Sequence, residues 1–143
     1  MGTGALSLAC NSYSEFLPFL KSVGLFLFYF NILWAFILLI PWVLRWILYP
    51  NQAIVDLNHP IMTQFYPTIG VGFMLIGMGM VVYLQNLIAG FVIWFAGTFM
   101  TIFFAILIPL IIFEGKHVQL DHINPAWFIP PVALIVVPAG GSL

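Results

Sequence analysis

The chain has 143 residues, of which 64% are hydrophobic and 5% charged, with a formal net charge of −1 at pH 7 and a mean hydropathy of +1.17. A soluble domain carries charge on roughly a quarter of its residues, so this balance excludes one, and 3 Lys and Arg residues in total leave no basic patch for nucleic acid. The class is all-α, a polytopic membrane helical bundle, because backbone in lipid must satisfy its own hydrogen bonds.

Five helices are read along the chain, forming a single transmembrane domain. Residues 1–12 are apolar and small, too short to cross a bilayer, and read as the second half of a helix. Residues 19–48 make the second helix, uncharged from Ser22 to Leu44, longer than the roughly 20 residues that cross about 30 Å of hydrocarbon. The turn-like "DLNHP" precedes a third helix over residues 62–85, which is glycine-rich and ends at "QN". Residues 88–113 make the fourth, uncharged from Ile88 to Phe113, and residues 126–143 a fifth that is barely long enough or incomplete. No secretory signal peptide is visible, so the chain is held in a plasma or inner membrane by its own helices.

Lys21, Arg45 and Lys116 decide orientation. Arg45 and Lys116 fall on one side of the bilayer, which places the loops Tyr49 to Pro60 and Glu114 to Asn124 in the cytoplasm. Trp42, Trp46, Tyr49 and Trp127 form an aromatic belt on that same side.

The helices are of two kinds. The second and fourth are dense in Phe, Trp, Leu and Ile, which suits contact with lipid. The first, third and fifth carry Gly2 and Gly4, then Pro67, Gly70, Gly72, Gly77 and Gly79, then Pro130, Pro131, Pro138, Gly140 and Gly141. Small residues let backbones approach closely, so even helices are read as outer and odd ones as inner. Gly70 and Gly77 share one face and Gly72 and Gly79 another, about 160° apart, so that one stripe can pack while the other faces an opening. Interior prolines free backbone carbonyls, which lipid tolerates only where protein or a water-filled cavity receives them.

"HP" at His59 and Pro60 recurs as "NP" at Asn124 and Pro125, and "MGTG" at the start echoes "IGVG" at Ile69 to Gly72. The repeat unit is a helical hairpin of about 65 residues, too small to bury itself, so that units pack around a common centre. Chemistry-bearing side chains are sparse. Cys10 is alone, and "KHVQLDH" places His117, Asp121 and His122 at a spacing that matches no established metal-ligand pattern. No metal or other cofactor is expected, nor an enzyme, since no nucleophile with a base and no carboxylate pair lies within reach. Asn31, Thr68, Thr98 and Thr101 are the intramembrane polar residues; the threonines can bond to carbonyls one turn earlier, whereas Asn31 needs a partner on another helix or subunit.

"MGTGALSL", "HPIMTQFYPTIGVG" and above all "NPAWFIPPVALIVVPAG" resemble the tellurite-resistance/dicarboxylate transporter family, which includes bacterial tellurite-resistance proteins, fungal malate and sulfite exporters and the slow anion channels of plant guard cells. The resemblance implies ten membrane helices in five hairpins around a central pore with proline-kinked odd helices inside, bacterial members being trimers. The chain resembles the N-terminal half, and the family's occluding phenylalanine lies on a helix beyond it. On this reading Gly2, Gly4, Pro67, Gly70, Gly72, Gly77, Gly79, Pro130, Pro131 and Pro138 line an anion pathway.

The function expected is therefore a channel or uniporter for small anions, with inorganic anions, malate, sulfite or tellurite as candidates and selectivity from pore diameter and backbone dipoles. Proton-coupled efflux of a dicarboxylate or sulfite is the alternative, although it needs an ionisable group in the path. A non-transporting scaffold ranks lower, having no reason to confine proline and glycine to alternate helices.

Overall fold

The computed structural model describes residues 1–57, 62–114 and 125–141. Its α-helices run α1 (Gly2–Ser12), α2 (Phe19–Leu48), α3 (Pro50–Leu57), α4 (Pro67–Leu84), α5 (Leu87–Glu114) and α6 (Ile129–Gly141). Short 3₁₀ turns, Met62–Phe65 and Pro125–Phe128, lead into α4 and α6. Lys116, the cluster of His117, Asp121 and His122, and the His59 to Pro60 pair all lie outside the described residues.

Among the described residues, three helical stretches are long and apolar enough to cross a membrane: Phe19–Leu48, Met62–Leu84 and Leu87–Ile111. Burial separates them. In the most apolar window 44% of residues are buried for Met62–Leu84, against 17% for Phe19–Leu48 and 22% for Leu87–Ile111, so α4 is the inner helix and α2 and α5 flank it. Val71, Met74, Leu75 and Met78 of α4 form the core with Ala133 of α6, and Leu8, Trp94, Val136 and Val137 pack around them. Lipid is as apolar as leucine, so these helices are held by close packing and hydrogen bonds rather than by burial from water.

Local sequence explains the ends. Pro67 opens α4 at the first helical position, where a missing N–H costs nothing. Gln85 closes it in the left-handed region, φ 51°, and the Asn86 side-chain oxygen then accepts from the Ala89 N–H at 3.1 Å, capping α5. The "QN" turn thus works from both sides.

Two sequence readings change. The segment after Tyr49, read as a loop, contains α3, opened by Pro50 and anchored by Ala53, which is 1% exposed. Prolines are also not confined to inner helices: Pro41 lies inside α2 and Pro109 inside α5. Glycine is not confined to them either, since Gly24 lies in α2 and Gly90 and Gly97 in α5.

Candidate functional site

Close approach through glycine fixes α4 among its neighbours. A Cβ at Gly77 would stand 2.7 Å from the Gly90 carbonyl oxygen and from the Trp94 nitrogen, and one at Gly97 would stand 2.6 Å from the Gly70 carbonyl oxygen. Gly70 also abuts Thr101, whose hydroxyl donates to the Gly97 carbonyl at 2.8 Å. Two glycine pairs, each spaced by about two turns, let α4 and α5 touch backbone to backbone. On another flank the Phe28 ring of α2 lies against Gly79 and stacks on Tyr83 at 5.5 Å.

Polar contacts hold α1. The Thr3 hydroxyl donates to Asn31 Oδ1 at 2.8 Å, the Ser7 hydroxyl to the Gly24 carbonyl at 2.8 Å, and the Tyr83 hydroxyl to the Ser7 carbonyl at 2.6 Å. Gly4 makes room for this contact, with Asn31 Nδ2 3.1 Å and Leu75 Cβ 3.2 Å from where its Cβ would be. Asn31 therefore finds an interhelical partner. Thr101 bonds back to its own helix at Gly97 and Thr68 to Phe65 in the 3₁₀ turn before α4, while among the described residues buried Thr98 Oγ1 has no partner.

Among the described residues two faces stay open. Gly2, Ala5 and Ala9 of α1 are exposed and, at intervals of three and four residues, share one face; nothing lies within 4 Å of a Cβ at Gly2. On α6, Pro131 and Pro138 are exposed and share a face away from buried Pro130 and Ala133. No Asp, Glu, Lys, Arg or His occurs in α1, α4 or α6. A separate cavity of about 460 Å³ runs between α2 and α4, lined on α4 by Thr68, Ile69, Gly72, Phe73, Ile76 and Met80.

A family model described as "voltage-dependent anion channel" matches residues 1–143, the whole chain. The chain belongs to the voltage-dependent anion channel family. Two transporters of Methanocaldococcus jannaschii, both named as uncharacterized, are similar to it at 46% and 43% identity over all 143 residues. The chain spans 41% and 42% of their lengths. This is the family to which the "WFIPP" resemblance pointed.

Within this segment the ten residues singled out by sequence are divided by the fold. Gly4, Gly70, Gly77 and Gly79 sit at helix crossings, and Pro67 and Pro130 are buried where α4 and α6 begin. Gly72 faces the cavity between α2 and α4, while Gly2, Pro131 and Pro138 are on open faces. Sequence reading passed over Gly90 and Gly97, although their seven-residue spacing mirrors that of Gly70 and Gly77, and over Ala5 and Ala9, which extend the open face of Gly2.

Proposed function

We propose that the chain forms part of a passive path for small anions. The observation that carries this is the match of the whole chain to the anion-channel family. The open small-residue face of Gly2, Ala5 and Ala9 and the proline-bearing face of Pro131 and Pro138 supply two walls of that path, which the remainder of a full-length protein closes. Such walls offer backbone dipoles and carbonyls displaced by proline, with no fixed charge, and so bind an anion weakly enough to release it quickly. A segment without Asp, Glu, Lys, Arg or His in α1, α4 or α6 gives a proton-coupled cycle no carboxylate, amine or imidazole in these walls. Assembly as a homo-oligomer, a trimer by family resemblance, in a plasma or inner membrane completes the proposal.

The test is anion efflux from liposomes holding the full-length protein, comparing chloride, nitrate, sulfite and malate with and without a pH gradient. Flux that follows membrane potential and is indifferent to the pH gradient is the expected result. Flux of one organic acid or sulfite that requires the gradient would replace the passive path with a coupled exporter, and absence of flux from folded protein would remove transport.

A further inference from the structure

The cavity between α2 and α4, which Met1 and Ile93 also line, sits on a side of α4 turned away from α6. Ile76 and Gly72 of α4 face it, whereas Val71 and Met78, which pack with Ala133 of α6, lie about 100° or more around the helix. Ring contacts flank the lined stretch at both ends, from α2 to α4 and to Tyr66 just before it. At one end Phe28 rests on Gly79 and stacks on Tyr83. At the other, Tyr66 meets Trp42 at 6.1 Å and Trp46 at 6.4 Å. In between, the lining residues Trp34, Phe36 and Leu38 are 50%, 60% and 57% exposed, so the cavity opens sideways.

We infer that this groove holds the hydrocarbon tail of a membrane phospholipid. An α-helix with its side chains is about 10–12 Å across and runs the depth of the bilayer, so it would cover rather than fill a slot bounded at both ends by ring contacts; a single flexible tail can fill it. The length fits as well. From Asn31 to Trp42 the groove follows α2 for about 16 Å at 1.5 Å per residue, close to the roughly 15 Å that each leaflet contributes to a 30 Å hydrocarbon core. Two of the polar groups at the groove are already paired: Asn31 Oδ1 accepts from Thr3 and the Thr68 hydroxyl donates to Phe65.

The polar end of the lipid has a place too. Trp42 borders the groove, and one turn further along α2 stand Arg45 and Trp46, with Arg45 half exposed and paired to Asp56. Tryptophan and tyrosine settle at the headgroup level, and an arginine has more N–H donors than one carboxylate uses, which leaves some for a lipid phosphate. This inference does not rest on anion transport.

Native mass spectrometry of the full-length protein, exchanged into mild detergent and titrated with phosphatidylcholine, tests it. No described residue lies within 4 Å of a Cβ at Gly72, so Gly72→Leu grows into the groove, and Ile76→Phe is a second filler. The expected result is one retained lipid per chain in the wild type and in the control Phe99→Leu, an exposed position on α5, and its loss in either filler that keeps the wild-type helical circular dichroism. A wild type that retains no lipid, as when another part of the protein fills the groove, overturns the inference. So does equal retention by the wild type and both fillers.

Discussion

The Phe28 ring of α2 occupies the space that a side chain at Gly79 of α4 would need. One glycine and one aromatic thereby set how α2 and α4 cross, and Phe28 itself is 2% exposed, stacked on Tyr83. Gly79→Ala forces the ring aside and is expected to cost about 1–3 kcal/mol, the usual range for overpacking. Thermal unfolding in detergent of Gly79→Ala, Phe28→Leu and the double variant measures the coupling. The double variant should lose less than the sum of the two single ones; simple additivity would mean the pair is not in contact.

The glycines of α4 should differ sharply in tolerance to alanine. At Gly77 the added methyl meets backbone atoms of α5, the Gly90 oxygen and Trp94 nitrogen at 2.7 Å, and backbone cannot swing away as a side chain can. Gly77→Ala should lower stability by about 1–3 kcal/mol and reduce the yield of monodisperse protein. Gly72→Ala meets nothing within 4 Å and should be neutral or gain up to about 1 kcal/mol from helix propensity. Equal melting temperatures for the two variants would contradict the α4 and α5 crossing.

Hydrogen bonds tie α1 to the bundle, and each is expected to be modest. Interhelical bonds in membrane proteins average about 0.6 kcal/mol because the unfolded chain in lipid also finds partners. Asn31→Ala removes the acceptor of Thr3, and Tyr83→Phe removes the donor to the Ser7 carbonyl. Each should cost between about 0.5 and 1.5 kcal/mol. In thermal unfolding, a much larger loss for Tyr83→Phe would point to a role beyond this one bond.

Flux should be sensitive to the open face of α1. Ala5→Trp places a large ring on the surface shared with Gly2 and Ala9, without touching the buried side of the helix that holds Gly4 and Ser7. Liposome efflux of the preferred anion should fall severalfold, while the melting temperature stays near that of the wild type. Ile88→Trp, at a position 80% exposed on α5, serves as the lipid-facing control and should leave flux unchanged.

The Arg45 and Asp56 pair joins the end of α2 to α3 at the membrane surface. With the two side chains 50% and 30% exposed, solvent screens the interaction, and Asp56→Asn should cost no more than about 1 kcal/mol, less at high salt. Thermal unfolding of wild type and variant across a salt series checks this, and a loss that persists at 1 M salt would show packing rather than charge at work.

Much of the fold was legible before any coordinate. The long uncharged runs became α2, the Met62–Leu84 span and α5, with ends within a few residues of those read from hydropathy. The "QN" turn and the opening role of Pro67 were readable because each acts through its own backbone. The helix α3 was not, since eight residues of mixed polarity around "DLNHP" carry turn signals as strong as its helical ones. Asn31 announced a need for a partner, but nothing in the chain singled out Thr3.

By itself, then, the sequence determined that the protein is a helical membrane bundle, which stretches cross, and to which family the motifs belong. Hydrophobicity and length are sums over neighbouring residues, and motifs are local. It did not determine what each glycine does. Gly70, Gly72, Gly77 and Gly79 are alike in composition and spacing, yet two meet α5, one meets Phe28 and one opens onto a cavity. That division was settled by which helix came to lie alongside, and in lipid the choice rests on shape and a few hydrogen bonds between distant segments rather than on hydrophobicity, which is nearly the same for every arrangement.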